Sequence, residues 1–305
     1  MKNAIALAAL ALATVPLAAF AQDGGAPYAV AKWKDGKACA ISYTFDDGLR
    51  DHFTHVLPLL KRHGLRGTFW IIGDAVETGS LKRTPVMDWP QIAEIARWGN
   101  EIASHGLHHK ATSRCADHAE ILAERDLNAD LIEKRTGLRP VTFCYPFNDK
   151  KDKDGESIVA LVEDGLVGSR TFQKAFGGKT KADDFNAYIE REREKGAWVV
   201  TMTHGIVRGY DMWENPKELD KHFRWVREQK DIWIAPFRDV CAYAKVRDCV
   251  ELTFTQDADG NTVATPSTGA LDGRIFGGTM LTLLDSEGGK VCDFDPFQGS
   301  FTVKR

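Results

Sequence analysis

Two adjacent carboxylates stand at the end of a short apolar run near the start of the chain. Residues 39–45 are followed by Asp46 and Asp47, and then by Gly48. An Asp-Gly pair is common in tight turns, so a turn is one interpretation. Neighbouring carboxylates can also divide the work of a hydrolytic site, since one can bind a cation while the other acts as a base. Asp46 and Asp47 are therefore candidate site residues.

Two histidines follow a second β-prone segment, residues 101–104. His105 and His109 are four apart, so a helical turn would bring both to one cation. Gly106 excludes the HExxH helix of zinc proteases, and without a metal the pair would belong to an ordinary His-rich loop. His108 cannot share that helical face, and we expect it at the surface or behind the ligands.

A further histidine, His204, directly follows the apolar run 198–203. A single strand-end histidine is a weak signal, but the set as a whole is stronger. Carboxylate and imidazole together suit a borderline divalent ion such as zinc, with cobalt or nickel as alternatives. Three protein ligands leave a coordination position open, and a cation there can make hydroxide available near neutral pH. The pattern favours hydrolytic chemistry.

Short β-prone runs alternate with helical patterns from residue 38 to 247, which predicts βα units around a parallel sheet. Periodicity does not separate a barrel from an open doubly wound sheet, but both place chemistry beyond the carboxyl ends of the strands. The clearest helices cover 89–98, 116–136 and 216–229. The seven predicted strands are 39–45, 67–72, 101–104, 142–145, 166–170, 198–203 and 232–235.

The pattern changes after residue 247. Helical periodicity ends, and β-prone stretches at 250–256, 279–284 and 301–304 alternate with Gly-containing turns, which predicts a small β-rich C-terminal module over 248–305. The segment 257–261 superficially resembles a calcium loop but lacks the ligand spacing of an EF-hand, so we interpret it as a hairpin turn.

The first residues have the pattern of a secretory signal. Lys2 precedes an apolar run that ends in the small-residue segment 19–21, which predicts a signal peptide over 1–21 and a mature chain beginning at Gln22. The alternative is a retained membrane anchor, for which the run is short. We therefore expect an exported protein, periplasmic or extracellular, without stable membrane insertion after cleavage.

The hydrophobic content and the net charge of the chain limit the kinds of molecule that it is expected to bind. The 305 residues are 43% hydrophobic and carry a net charge of −3 without charge blocks, so a globular chain is expected and a nucleic-acid partner is not. Six cysteines occur without a CxxC pair. In an exported protein a Cys241–Cys249 disulfide and buried free thiols are both plausible, and the oligomeric state is open.

At these motifs the sequence resembles the polysaccharide deacetylase family, also called the NodB-homology or carbohydrate esterase 4 family. The family's TFDDG signature stands unaltered over residues 44–48, and its H(S/T)xxH motif spans 105–109 with Gly106 at the Ser/Thr position. The resemblance covers roughly residues 38–247. It implies a distorted (β/α)7 barrel and a catalytic domain over 22–247.

The resemblance also implies roles for individual residues. Asp47, His105 and His109 would be the metal ligands, Asp46 the general base, and His204, matching the family's Leu-x-x-His motif, the general acid. The implied reaction is hydrolysis of an N- or O-linked acetyl group on a polysaccharide or oligosaccharide.

The family's third motif, RPPY, is altered here. Residues 144–147 read Cys-Tyr-Pro-Phe, so the Arg and the Tyr are both replaced. The implied oxyanion donor is the backbone N–H of Phe147, which a Tyr-to-Phe exchange preserves. The missing arginine normally orients the base. Arg170, at the end of the fifth predicted strand, is our candidate substitute, because a guanidinium there could bind a neighbouring carboxylate through two nitrogens; the alternative is an ordinary surface arginine.

Three functions are compatible with these motifs. The first is a metal-dependent deacetylase acting on an acetylated extracytoplasmic glycan. The second is an allantoinase-like cyclic amide hydrolase, which export disfavours. The third is a catalytically silent glycan-binding protein, against which the presence of both Asp46 and His204 argues. Tyr210 and Trp213, after His204, could stack on a sugar, although Trp213 could equally anchor the next helix.

Overall fold

The computed structural model describes residues 28–304, so the predicted signal peptide over 1–21 and the mature start at Gln22 lie outside the described residues. The strands are β1 (Tyr28–Val30), β2 (Cys39–Ser42), β3 (Thr44–Phe45), β4 (Thr68–Ile71), β5 (Ser80–Leu81), β6 (Thr84–Pro85), β7 (Glu101–Ser104), β8 (Thr142–Cys144), β9 (Gly168–Arg170), β10 (Lys174–Ala175), β11 (Trp198–Met202), β12 (Ile232–Ile234), β13 (Glu251–Gln256), β14 (Thr262–Ser267), β15 (Leu281–Asp285), β16 (Lys290–Phe294) and β17 (Phe301–Thr302).

The helices separate these strands, as the alternating pattern predicts. They are α1 (Leu57–His63), α2 (Gly73–Thr78), α3 (Trp89–Arg97), α4 (His118–Thr136), α5 (Val159–Glu163), α6 (Ala182–Glu194), α7 (Lys217–Val226), α8 (Phe237–Cys249) and α9 (Gly273–Phe276). Helix α3 begins at a capping box, in which Asp88 and Gln91 satisfy each other's backbone N–H groups. Helix α4 begins at its N-cap Asp117 and ends where Gly137 is left-handed.

All seven predicted barrel strands are present, and one of them is divided. The first predicted strand forms β2 and β3, which separate at Tyr43. Strand β2 pairs in parallel with β11 and β12, whereas β3 pairs with β4. This division lets a single segment hydrogen-bond with different neighbours along its length.

The parallel sheet curls into a barrel. Strands β3, β4, β7, β8 and β9 are hydrogen-bonded neighbours in that order. In a flat sheet, β3 and β9 would lie about 19 Å apart. Nevertheless, the side chain of Arg170 in β9 donates to Thr44 Oγ1 in β3 at 2.6 Å. The α/β architecture and the distorted barrel are therefore confirmed, and an open sheet is excluded.

The C-terminal β-rich segment packs against the barrel domain. Strand β15 pairs antiparallel with β1 and β16, while β14 pairs with β13 and β17. Strands β14 and β16 were not predicted, because each lacks a clean alternation of apolar and polar residues. Leu281, Leu283 and Phe294 share one hydrophobic cluster with Phe237 and Val240 of α8. The boundary between residues 247 and 248 remains a prediction.

Two further expectations concern turns and thiols. Residues 257–261 form the hairpin turn between β13 and β14, with Asp257 accepting from Asn261, as predicted. Cys241 is buried, Cys249 is exposed, and each of the six cysteines is unpaired in the structure. Of the two alternatives, the Cys241–Cys249 disulfide is therefore not the one that the structure contains. Within residues 28–304, no helix is long and apolar enough to cross a bilayer.

Candidate active site

The two carboxylates leave the barrel on a tight turn. Asp46 and Asp47 follow β3 directly and are almost completely buried. Asp47 and Gly48 both adopt left-handed backbone angles, with φ of 74° and 65°. Aspartate tolerates this conformation better than most residues do. The turn predicted from the Asp-Gly pair is present, and it directs the two carboxylates to different partners.

His105 and His109 converge on Asp47. The Nε2 atoms of the two imidazoles lie 3.3 and 3.4 Å from Asp47 Oδ1. The Nδ1 atom of His105 donates to the carbonyl of Cys144 at 2.8 Å, so Nε2 faces the carboxylate. The two histidines meet without the helical turn considered from their spacing: Gly106 and His109 have φ of 78° and 55°, so a loop with two left-handed residues joins them.

His108 lies outside this cluster, as predicted. Its backbone N–H and its Nδ1 atom both contact the carboxylate of Glu124, the latter at 2.6 Å. A β-carbon at Gly106 would lie 3.3 Å from the same carboxylate. Glu124, on α4, therefore supports the loop between the two converging histidines. The sequence gives no signal for this role beyond a carboxylate on a helix.

The cluster of Asp47, His105 and His109 fits a divalent cation. One ligand atom from each residue lies within 4.8 Å of the others. Asp47 Oδ1 is buried, and no group in the described residues donates a hydrogen bond to it. A buried carboxylate oxygen without a donor is costly unless a cation binds it. The donor set, one carboxylate and two imidazoles, is one that zinc prefers.

The protonation states of Asp47 and His109 also suit a cation. Burial opposes ionisation of Asp47, but the neighbouring imidazoles of His105 and His109 hold the pKa of this carboxyl well below its usual range. Burial lowers the pKa of His109 to about 4, and His105 adds to that shift. An ionised carboxylate and a neutral imidazole are the forms in which these groups bind metals. Burial disfavours the charged form of His105, but Cys144 and Asp47 raise its pKa above the ordinary value, so a cation must displace a proton from this imidazole.

A second group, Asp46, His105 and Cys144, is also close enough to hold an ion. It fits less well, because its members already have partners. Both oxygens of Asp46 accept from Arg170, and the Nδ1 atom of His105 is used by a backbone carbonyl. The Asp47 cluster is therefore the better candidate for a cation site.

Arg170 binds Asp46 through two nitrogens, in the geometry proposed from the sequence. Its NH1 atom lies 2.7 Å from Asp46 Oδ1 and its NH2 atom 2.5 Å from Oδ2. Both side chains are buried. Burial disfavours the charged guanidinium, but the neighbouring Asp46 raises the pKa of Arg170 above its ordinary value. Arg170 is thus an internal partner of Asp46 and not a surface arginine.

His204 completes one side of the site. It follows β11, and its Nε2 atom lies 3.7 Å from Asp47 Oδ2. On the other side of the ring, Nδ1 lies 3.1 Å from Asp211 Oδ2, although the two atoms make no well-oriented hydrogen bond. His52 Nε2 donates to the backbone carbonyl of His204 at 2.9 Å. Asp211 and His52 were not predicted, because neither stands at a strand end.

Aromatic residues near the site have distinct roles. Phe147 is exposed, has a φ of 58°, and places its ring 4.5 Å from that of His109. Lys82 Nζ lies 5.5 Å from the Phe147 ring centroid. Trp213 is buried edge-on against Phe176, so it anchors the loop and is not available to a sugar.

The predicted site residues line one cavity of about 310 Å³. Its walls come from the carboxyl ends of β3, β7, β8, β9 and β11, which is where a barrel places chemistry. Every residue for which the family resemblance implies a role as ligand, base, acid or oxyanion donor lines this cavity. Its lining is Asp46, Asp47, Lys82, His105, His109, Tyr145, Phe147, Asn148, Arg170, Gln173, Met202, His204 and Tyr210.

The fold and the site define an α/β-barrel domain with a candidate metal centre at its carboxyl-terminal face. Residues 34–161 match the family model described as polysaccharide deacetylase. These residues are therefore similar to the polysaccharide deacetylase family, and the family resemblance predicted from the motifs is confirmed.

Two curated proteins illustrate the similarity. Gellan lyase from a Bacillus species is 26% identical over 123 residues, which is 40% of this chain and 5% of that protein. The peptidoglycan-N-acetylmuramic acid deacetylase PdaA of Bacillus subtilis is 32% identical over 113 residues, which is 36% of this chain and 38% of that protein. The matches thus span well under two thirds of either relative.

A solved structure supports the fold assignment. A Mycobacterium smegmatis protein assigned to the polysaccharide deacetylases superposes with a TM-score of 0.55 at 18% identity. The superposition covers 76% of this chain and 99% of that one. At this level of identity, the similarity shows the barrel fold and does not bear on the substrate.

Proposed function

We propose that this protein is an exported, metal-dependent deacetylase that hydrolyses N- or O-linked acetyl groups on an extracytoplasmic glycan. The observation that carries this proposal is the convergence of His105 and His109 on Asp47 Oδ1, which has no hydrogen-bond donor among residues 28–304, beside the buried pair of Asp46 and Arg170. The family assignment supports an acetylated polysaccharide or oligosaccharide as the substrate.

Each residue has a distinct task in this proposal. Asp47, His105 and His109 would hold the cation, with zinc the best match to the donors and cobalt or nickel as alternatives. When bound, such an ion supplies Lewis acidity to the acetyl carbonyl and acidifies water. Asp46 accepts the proton of the attacking water, and Arg170 fixes the orientation of that carboxylate.

The second proton transfer belongs to His204. As the bond between the acetyl carbon and the sugar nitrogen or oxygen breaks, His204 donates a proton to the departing amine or alkoxide. The backbone N–H of Phe147, at the cavity wall, is the proposed hydrogen-bond donor to the carbonyl oxygen. The products are acetate and the free amine or hydroxyl, and no covalent enzyme intermediate is required.

An acetate-release assay tests this function. The panel consists of chitin oligomers, acetylated xylan, peptidoglycan and polymeric N-acetylglucosamine. We expect acetate release from at least one substrate, loss of acetate release when a chelator is added, and recovery when zinc or cobalt is restored. The reason is that the proposed reaction requires a cation at the Asp47 cluster. The substrates that react also separate N- from O-deacetylation.

A metal-loaded protein that releases no acetate from the whole panel, but binds one of these glycans, would contradict the proposal in favour of a glycan-binding protein. Hydrolysis of a cyclic amide such as allantoin, without acetate release, would support the second alternative. The wild-type protein without added metal is the internal control for each substrate.

A further inference from the structure

Contacts within its own backbone determine the conformation of the loop that follows His204. The N–H of Gly205 donates to the carbonyl of Tyr210 at 3.0 Å, which closes the loop on itself. A β-carbon at Gly205 would lie 2.4 Å from the carbonyl oxygen of Arg208, so only glycine fits there. The loop geometry is therefore fixed by its own backbone.

The buried carboxylate of Asp51 anchors this loop through hydrogen bonds. Asp51 Oδ2 accepts hydrogen bonds from the backbone N–H groups of Ile206, Val207 and Arg208, at 3.1, 2.6 and 2.6 Å. Three bonds from consecutive amides to one ionisable oxygen form a strong, directional anchor. Asp51 lies between the turn that carries Asp47 and helix α1. Its hydrogen bonds therefore connect the loop after His204 to that turn.

The anchored loop delivers one side chain to the metal cluster. The hydroxyl of Tyr210 donates to Asp47 Oδ2, and the Tyr210 ring lies 5.1 Å from that of His204. The ring also packs against the hydrophobic cluster that contains Leu49 and Val86. The two oxygens of Asp47 are therefore not equivalent: Oδ2 has a donor, and Oδ1, between the two imidazoles, has none among the described residues.

We propose that Tyr210 is a positioning residue for the metal centre: its hydroxyl holds Asp47 Oδ2 so that Oδ1 alone faces the cation. This inference rests on the proposed function. A carboxylate free to rotate would exchange its oxygens or bind the ion through both, which would occupy the coordination position that water and substrate need. Hydrogen bonds to a metal-binding carboxylate commonly set both its orientation and the metal affinity.

The test is the metal affinity of the Tyr210→Phe variant, measured with zinc in competition with a chromophoric chelator. We expect affinity about 10–100-fold weaker than wild type, because the ring packing stays while the hydrogen bond to Asp47 is lost. The absorption spectrum of the cobalt form should also change, since the coordination of Asp47 changes. Tyr188→Phe is the matched control, because Tyr188 lies on α6 outside the cavity.

Several outcomes separate this inference from the proposed function. Wild-type affinity and an unchanged cobalt spectrum in Tyr210→Phe, with metal binding lost in Asp47→Asn, would overturn the role of Tyr210 alone. Failure of the wild-type protein to bind zinc or cobalt would overturn the proposed function itself. Thermal unfolding of the metal-free proteins is the folding check: Tyr210→Phe should unfold in one cooperative transition, with a midpoint slightly below that of wild type because the buried Asp47 Oδ2 loses its donor.

Discussion

Replacement of Asp46 by asparagine is expected to lower kcat for acetate release by about 10²–10⁴-fold, while the protein still binds one metal ion. Asparagine keeps the shape of the side chain but cannot accept the proton from water. Asp47, His105 and His109 are unchanged by the substitution, so their metal affinity should be close to that of wild type. Steady-state kinetics and zinc titration on the same preparation measure both effects.

The same variant leaves Arg170 buried without its counterion. Loss of one partner of a buried pair typically costs about 3–5 kcal/mol, so the free energy of unfolding should fall by a similar amount. Asp154→Asn, at an exposed position with a surface lysine partner, is the control and should change neither activity nor stability. Turnover near the wild-type rate in Asp46→Asn would remove Asp46 as the base.

Replacement of Arg170 by alanine is expected to lower kcat by about 10²-fold without unfolding the chain. The guanidinium binds both oxygens of Asp46 and also donates to Thr44 Oγ1, so its loss frees the carboxylate to rotate. The unfolding free energy should fall by about 3–5 kcal/mol, which a domain with an ordinary stability of about 5–15 kcal/mol can tolerate. Denaturant unfolding and kcat measurements check the two effects.

Two further variants separate orientation from charge. Arg170→Lys retains a positive charge but loses the paired contacts, so activity should remain low. The double variant Asp46→Asn with Arg170→Gln removes both buried charges, and it should recover part of the lost stability without recovering activity. Arg139→Ala, at an exposed site, is the control. Near-normal rates in Arg170→Ala or Arg170→Lys would discard the proposed role.

The sequence predicted the positions of the site residues because each follows a strand. Strand ends are readable from apolar runs, and parallel strands bring their carboxyl ends together. This reasoning also found Arg170, whose strand lies across the barrel from Asp46. The family motif supplied the roles, and those roles remain predictions until they are measured.

The sequence did not predict contacts that depend on loop geometry. Tyr210 was considered as a sugar-stacking residue, but its hydroxyl contacts Asp47 because Gly205 and Asp51 fold the loop back. The left-handed angle at His109 was likewise unpredictable, since non-glycine residues rarely adopt it. Such conformations are determined by surrounding contacts and not by local residue preference.

The pairing of β1 with β15 was also beyond prediction from local patterns. The two strands are separated by most of the chain, and β1 has only three residues. Their pairing follows from the burial of Leu281 and Leu283 against α8, a tertiary contact that propensity does not encode. Most of the barrel strands, by contrast, coincide with apolar or β-branched runs of their own, such as β2, β4 and β11.

The most direct test of the account is metal content and affinity, measured by elemental analysis and zinc titration on wild type, His105→Ala and His109→Ala. We predict one transition-metal ion per wild-type chain and a large loss of affinity in both variants, because the two imidazoles flank the donor-free oxygen of Asp47. A folded wild-type protein that retains no zinc or cobalt, or variants that bind as tightly as wild type, would contradict it.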